Sequence, residues 1–365
     1  MEGLRGVAVL MVFWVHFQSL FGGRIPAGSP VWNVAEWMKG IGQTGVDIFF
    51  VISGYLIYGA VMERAAPLSK FWRRRYQRIY PAFLAVFAIY LALNLWMPER
   101  SRLPSGSGNA AVYLLQNLLL MPGVFDVKPL ITVAWSLSHE MLFYLTLPVV
   151  VLITGMRAWQ SWERVTWTAT GCVFFVAIIV GVRDLWWPSL LFTPLALIRT
   201  MLFLPGILCW EALHRGWRPP GGRLTAAALF AGYGAYSWLR VSCGNENECG
   251  DMGPLHLLAR AAVLCSAYFP MAMECFGRVG TFARVLSWTP LRWLGNMSYS
   301  YYLSHSLALY GVASVGQTGV NSYLGYGVAL GAGLGVSMVA STLLFSLVER
   351  PLSLGGYGRK KASHR

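Results

Sequence analysis

Residues 44–62 read TGVDIFFVISGYLIYGAVM, nineteen residues with a single charged side chain, Asp47. An α-helix of about 20 predominantly apolar residues crosses the hydrocarbon core of a bilayer, so this stretch predicts a membrane-spanning helix. A carboxylate inside such a helix is costly in lipid, and it therefore predicts a partner or a function inside a helical bundle. The fold class follows from how often stretches of this kind recur.

Apolar stretches recur along all 365 residues, and the chain is 56% hydrophobic and only 12% charged. Ordinary soluble domains are about one quarter charged, so the composition argues against a soluble fold. We predict an all-α polytopic membrane protein of about ten spans, near 6–22, 44–62, 79–97, 133–155, 165–182, 190–213, 224–240, 255–276, 293–313 and 323–347. The segment 110–121 is too short to cross and is predicted to be a re-entrant or interfacial helix.

The net charge of +14 resides in short basic clusters between apolar stretches. That pattern indicates membrane topology rather than a nucleic-acid partner. Placing both termini in the cytoplasm puts 20 of the 29 Lys and Arg residues on the inner side, as the positive-inside rule requires. Residues 1–350 are predicted to form the transmembrane domain and residues 351–365 a basic cytoplasmic tail.

Cys243 and Cys249 flank the polar stretch CGNENEC, which this topology places outside the cell. An oxidising compartment permits a disulfide there, and whether the two are bridged is left open. No nearby histidine has the spacing of a zinc ligand, so no metal is predicted.

Arg5 and His16 are eleven residues apart, which on an α-helix is a rise of about 16.5 Å along one face. An arginine near the inner end and a histidine deep in the same span suit a protein that holds an anionic donor at the surface and reacts with its other end inside. A histidine buried in a span is costly, which favours a functional role for His16. Arg5 is the weaker candidate, because arginines at helix ends also anchor topology.

Four arginines, Arg73, Arg74, Arg75 and Arg78, precede the third span. Arg75 and Arg78 are three residues apart and therefore face the same way on a helix. Paired guanidinium groups suit phosphate oxygens, and the alternative is a topology anchor on the cytoplasmic side.

Several further polar residues enter the apolar spans. Asp47 is predicted to pair with His16 or an arginine, and Glu140 to polarise His16 or to form an ion pair between helices. Arg199 lies between two prolines in PLALIRTMLFLPGIL, which favours a pocket-lining role over an internal salt bridge. Ser300 and His305 lie in the ninth span, where the hydroxyl could instead bond the backbone and the histidine cap the outer end.

Together these strings resemble the membrane acyltransferase-3 family, bacterial proteins that move acyl groups, often acetyl, from a cytoplasmic donor to hydroxyl-bearing acceptors. The strings stand in the family's order: LRG with His16, GVDIFFVISGYLI, RRYQRIYP, WSLSHE with FYL, an arginine before FLPG, SYSYYLSH, and ERP at 349–351. His139 departs from the small apolar residue usual before the glutamate. A hydrolase-like domain is not found after the last span, so we expect either direct acylation of an acceptor or a separate partner enzyme.

The resemblance implies that His16 is the central catalytic residue, with Arg5, Arg75, Arg78 and Glu140 supporting it. We expect Asp47 to assist as a further catalytic residue and His16 to act as a base or as a transient acyl carrier. The resemblance also implies that acetyl-CoA or another acyl-CoA is the donor, with Arg5, Arg74, Arg75 and Arg78 as its binding residues. Arg199, Ser300, His305 and Trp135 are the candidates for substrate binding. The expected acceptor is a polysaccharide unit or a small molecule such as a macrolide, and the expected location is the bacterial inner membrane. Homodimerisation is left open.

Two other classes of protein compete with this interpretation. A transporter or flippase for an anionic or lipid-linked substrate also needs many spans and intramembrane charges, but needs no thioester donor. A membrane scaffold is disfavoured, because charged residues without function cost about 2.5–3.5 kcal/mol each at the centre of a span.

Overall fold

The computed structural model describes residues 1–63, 67–182, 199–241, 254–315 and 322–354. Apart from one isolated bridge between Pro122 and Phe125, these ranges form helices and connecting turns. The helices are α1 Glu2–Phe21, α2 Pro30–Gly42, α3 Gly45–Glu63, α4 Leu68–Trp96, α5 Ser107–Leu118, α6 Trp135–Thr154, α7 Ser161–Val182, α8 Leu204–His214, α9 Gly222–Val241, α10 Pro254–Gly277, α11 Thr281–Val285, α12 Thr289–Asn296, α13 Ser298–Val315 and α14 Tyr323–Leu344. A π-helix, Phe345–Leu354, continues α14.

The predicted fold class is confirmed, because the described chain is helical and strongly apolar. Within the described ranges, five helical stretches are long and apolar enough to cross a membrane, so the predicted count of about ten is not confirmed. They are Glu2–Arg24, Pro30–Glu63, Leu68–Trp96, Trp135–Thr154 and Tyr323–Ser353. Residues 190–198 of the sixth predicted span, Cys243, Cys249 and most of the tail lie outside the described residues.

Two helices differ from the sequence prediction. The third span was predicted to begin at residue 79, but α4 begins at Leu68 and includes the arginine cluster. Arginine and glutamine are good helix formers, so the helix continues past the point where apolar residues stop. Helix α2, Pro30–Gly42, lies between the first and second predicted spans, where the sequence predicted no helix. Pro30 lies in its first turn, and the Ser29 hydroxyl accepts a 3.3 Å hydrogen bond from the Trp32 amide, which together start a helix.

Glycines allow the helices around Arg5 and Ser53 to pack backbone to backbone. A Cβ atom on Gly6 of α1 would lie 2.3 Å from the Leu291 carbonyl oxygen of α12. A Cβ on Gly54 of α3 would lie 2.2 Å from the Phe203 carbonyl oxygen, and one on Gly206 of α8 would lie 2.0 Å from the Val51 carbonyl oxygen. Small residues within spans permit this close approach, which fixes the position of neighbouring polar side chains.

Replacing Gly206 by valine is expected to destabilise the bundle, because the new side chain meets the backbone of α3. Overpacking of this kind costs about 1–3 kcal/mol and should lower the melting temperature of the protein in detergent. Gly335→Val on α14 is the matched control, since no atom lies within 4 Å of a Cβ there. Equal melting temperatures for the two variants would contradict the proposed packing.

Candidate active site

A cavity of about 480 Å³ runs along α3. Its lining extends from Glu63 at one end of that helix to Val46 near the other, a distance of about 25 Å along the helix axis. Helices α1, α4, α6, α8 and α13 complete the wall. Small-molecule sites occupy about 300–1,000 Å³, so the cavity has the size of a ligand site. Its polar lining includes Arg5, Ser53, Arg75, Arg78, Glu140 and Tyr144.

Three of the four arginines predicted to bind the donor line this cavity: Arg5 of α1 and Arg75 and Arg78 of α4. The Arg75 guanidinium lies 5.8 Å from the centroid of the Tyr144 ring, and its Nε atom is buried without a hydrogen-bond partner among the described residues. Arg74 is half-buried on the same helix but is not part of the lining. Arg75 and Arg78 were predicted to face the same way on the helix, and both line this one cavity.

Glu140 lies within this arginine group. The Ser53 hydroxyl donates a 2.5 Å hydrogen bond to Glu140 Oε1, which holds the carboxylate in the cavity wall. Glu140 interacts electrostatically with Arg5 and Arg75. The sequence allowed Glu140 either to polarise His16 or to pair with a charged residue of another helix. The structure places Glu140 beside arginines, and among the described residues it forms no ion pair with His16.

Glu349 is a buried carboxylate that the sequence interpretation noted only as part of a string. It is 5% exposed and accepts hydrogen bonds from the Ser300 amide, at 3.2 Å, and the Ser300 hydroxyl, at 2.5 Å. Because Ser300 lies in the first turn of α13, Glu349 acts as an N-terminal cap for that helix. It also interacts electrostatically with Arg78 and Arg5. The signal in the sequence was a glutamate that ends an apolar stretch.

His16 lies near the opposite end of α3 from Glu63. Helix α1 passes the junction of α2 and α3 there, where a Cβ on Gly42 would lie 2.9 Å from the Val15 side chain. The half-buried His16 ring is outside the cavity lining, and its centroid is 5.1 Å from that of His305. The His305 ring lies 6.0 Å from the ring of Tyr302, which does line the cavity. The structure thus links the cavity to His16 through two side chains of α13.

A second polar group lies around Asp47, in the first turn of α3. Asp47 interacts electrostatically with Arg199 and Arg260, and the Arg199 guanidinium lies 4.1 Å from the centroid of the Trp135 ring. Arg260 donates a 2.9 Å hydrogen bond to the Tyr236 hydroxyl. The structure therefore brings together three predicted residues, Asp47, Arg199 and Trp135, and adds Arg260 and Tyr236, which the sequence did not single out.

The fold and the site together define a class of protein: a polytopic helical membrane protein with a cavity lined by arginines. The chain belongs to the acyltransferase domain family, whose family model matches residues 1–345. Comparison with solved structures gives no match. The resemblance expected from the sequence strings is therefore confirmed, and the chain is an acyltransferase.

Relatives with assigned names are acyltransferases. Acyltransferase MdmB of Streptomyces mycarofaciens is 28% identical over 383 residues, which cover 96% of this chain and 90% of the relative. O-acetyltransferase OatA of Staphylococcus aureus is 25% identical, covering 84% of this chain and 49% of OatA. The putative peptidoglycan O-acetyltransferase YrhL of Bacillus subtilis is 24% identical, covering 98% and 55%. The chain spans about half the length of OatA and YrhL.

Glu349→Ala is expected to lower the stability of the protein, because it leaves the first turn of α13 without its buried acceptor. Loss of a charged hydrogen-bond acceptor in a buried position costs about 1–3 kcal/mol, measurable as a lower melting temperature in detergent. Glu2→Ala is the control, since Glu2 makes a surface ion pair with Arg292 in which both side chains are about half exposed. If Glu2→Ala lowers the melting temperature as much as Glu349→Ala does, the capping role is wrong.

Proposed function

We propose that this acyltransferase moves an acyl group, acetyl in the first instance, from an acyl-CoA donor to a hydroxyl of a glycan or small-molecule acceptor. We place it in the bacterial cytoplasmic membrane with both termini inside the cell. The observation that carries the proposal is one elongated cavity with arginines along its wall, whose lining residue Tyr302 lies beside His305, which in turn lies beside His16.

The donor follows from the charge and the shape of the cavity. Arg5, Arg75 and Arg78 present guanidinium groups from two helices to one space, and guanidinium groups bind phosphate oxygens in bidentate fashion. Two of them interact with Glu140, which keeps the group ordered. A cavity about 25 Å long suits an elongated donor whose phosphates remain at the arginines while its thioester extends toward the Val46 end of α3.

The chemistry is assigned to His16. As a base, it accepts the proton of the acceptor hydroxyl while the oxygen attacks the thioester carbonyl carbon, the carbon–sulfur bond breaks, and the proton passes to the departing thiolate. As a carrier, its ring nitrogen attacks the thioester carbonyl carbon, the carbon–sulfur bond breaks, and the ring proton passes to the departing thiolate. The hydroxyl oxygen then takes the acyl group from the nitrogen, and the hydroxyl proton returns to the ring. Both routes need a group near the developing oxyanion. Arg199, held over Trp135 in the same end of the bundle as Asp47, is our candidate.

The names of the relatives support transfer to oxygen. OatA is an O-acetyltransferase and YrhL a putative peptidoglycan O-acetyltransferase, and both align with most of this chain. MdmB, which aligns along 90% of its own length, is named an acyltransferase without a stated acceptor. We therefore propose an oxygen acceptor and leave its identity to experiment.

Alanine at Arg75 or at Arg78 is expected to weaken the binding of CoA about tenfold or more, because each hydrogen bond to a charged group contributes about 1.5–3 kcal/mol. Calorimetry on the purified protein in nanodiscs measures this dissociation constant without knowledge of the acceptor. Arg73→Ala is the matched control: it removes the same charge from an exposed position of the same helix and should leave the dissociation constant unchanged. If Arg73→Ala weakens the binding of CoA equally, the arginines act only through their overall charge and not as a specific binding site.

His16→Ala is expected to retain CoA binding and to lose acyl transfer by at least about 100-fold, the contribution of a general base. Mass spectrometry of surface glycans and secreted metabolites from cells with the wild-type protein, the variant or neither measures the transfer as a mass increase of one acyl group. Unchanged transfer by the variant would refute the assignment, and export of substrate without CoA binding would indicate a transporter instead. An acyl-protein adduct present in the wild type and absent from the variant identifies a carrier.

A further inference from the structure

The buried side chain of His305 has one satisfied and one unsatisfied ring nitrogen. His305 is 0% exposed, and its Nδ1 atom lies 3.0 Å from the carbonyl oxygen of Tyr301. A carbonyl oxygen only accepts, so Nδ1 carries the proton and Nε2 carries a lone pair. Among the described residues Nε2 has no hydrogen-bond partner. An unsatisfied acceptor in a buried position is costly and requires an explanation.

The nearest ring with a suitable donor is that of His16. The two imidazole centroids are 5.1 Å apart, with an angle of 59° between the ring planes. Two imidazoles joined by an N–H···N hydrogen bond of about 2.9 Å have centroids about 5 Å apart. The centroid separation therefore fits such a bond once the half-buried His16 side chain rotates to direct a ring N–H at Nε2 of His305.

We infer that His305 is a positioning residue whose Nε2 accepts a hydrogen bond from a ring N–H of His16. The bond holds His16 in one tautomer, with the lone pair of its other nitrogen directed to the acceptor hydroxyl. This inference rests on the proposed function. It replaces substrate binding, the role expected for His305 from the sequence, because a ring that is 0% exposed contacts its neighbours and not a ligand in the cavity.

The proton balance of the step is complete within the named groups. The free nitrogen of His16 takes the hydroxyl proton as the acceptor oxygen bonds to the acyl carbon and the carbon–sulfur bond breaks. The imidazolium then returns this proton to the thiolate of the departing CoA. Throughout, the N–H···N bond to His305 stays in place and spreads the transient charge over two rings.

A carboxylate usually accepts the hydrogen bond from the ring N–H of a catalytic histidine. The structure explains why His305 takes that position here. The candidates are Glu140 and Asp47, and both interact with arginines: Glu140 with Arg5 and Arg75, Asp47 with Arg199 and Arg260. Among the described residues, no carboxylate forms an ion pair with His16. His305 provides an acceptor at this point without adding a further buried charge.

The decisive comparison is between His305→Gln and His305→Asn. The glutamine amide reaches the position of Nε2 and can accept the bond from His16, whereas the asparagine amide reaches only the position of Nδ1 and can replace the bond to Tyr301. We expect His305→Gln to keep the acyl-transfer rate within about threefold of wild type and His305→Asn to lose 10-fold to 100-fold, both with an unchanged dissociation constant for CoA. Equal rates for the two variants would overturn the inference.

His139 provides the matched control for the same pair of substitutions. It is also 0% exposed, and its Nδ1 atom lies 3.0 Å from the Trp135 carbonyl oxygen, the same local geometry on α6. Because its ring packs against Trp135 and Phe50, glutamine and asparagine there should change the rate to the same extent. If the acyl-transfer rates of the Gln and Asn variants differ as much at position 139 as at position 305, His305 has no specific role in positioning His16.

Nitrogen NMR of protein labelled at its six histidines tests the hydrogen bond without turnover. We expect a single tautomer for His16 in the wild type and in His305→Gln, and a mixture of tautomers in His305→Asn. A mixture in the wild type would overturn the inference even if the protein transfers acyl groups. A single tautomer in a protein that does not bind CoA would instead support His305 and contradict the proposed function.

Discussion

Compensation of charge inside an apolar bundle is the constraint on which the rest of this structure depends. Uncompensated ions in such an interior cost several kcal/mol each, so buried arginines need carboxylates and hydrogen bonds in fixed positions. Arg5, Arg75 and Arg78 have two such carboxylates nearby, Glu140, bonded to Ser53, and Glu349, bonded to Ser300. Within the described part of the chain this group has more cations than anions, which suits an anionic ligand.

The same constraint separates binding from chemistry. The carboxylates interact with the arginines, whereas His305 bonds the neutral carbonyl group of Tyr301 and lies beside His16. A backbone contact at Gly45 holds α3 against Ala8 of α1, and one at Gly206 holds α8 against Val51 of α3. In the proposed function, the rigid bundle rather than a closing loop aligns a long donor along α3 with His16.

Local sequence patterns predicted the features that depend on local physics. Apolar length predicted a helical membrane protein, although not a confirmed number of spans, and the i, i+3 spacing predicted the shared face of Arg75 and Arg78. Partnerships between distant residues could not be predicted, because periodicity carries no information on which helices pack together. Ser300 and Glu349 are 49 residues apart, and the contacts of His16 with His305 and of Glu140 with Ser53 likewise join separate helices.

The most direct test of an inward-facing donor cavity is cysteine accessibility along α3. Single cysteines at Ala60, Leu56 and Ile52, all in the lining, are introduced into a protein without its native cysteines, with Arg73→Cys as an exposed control. A membrane-impermeant maleimide should modify all four positions in inverted vesicles, and CoA should slow the reaction at the three lining positions but not at 73. Modification only from the outer face, or no protection by CoA, would contradict the account.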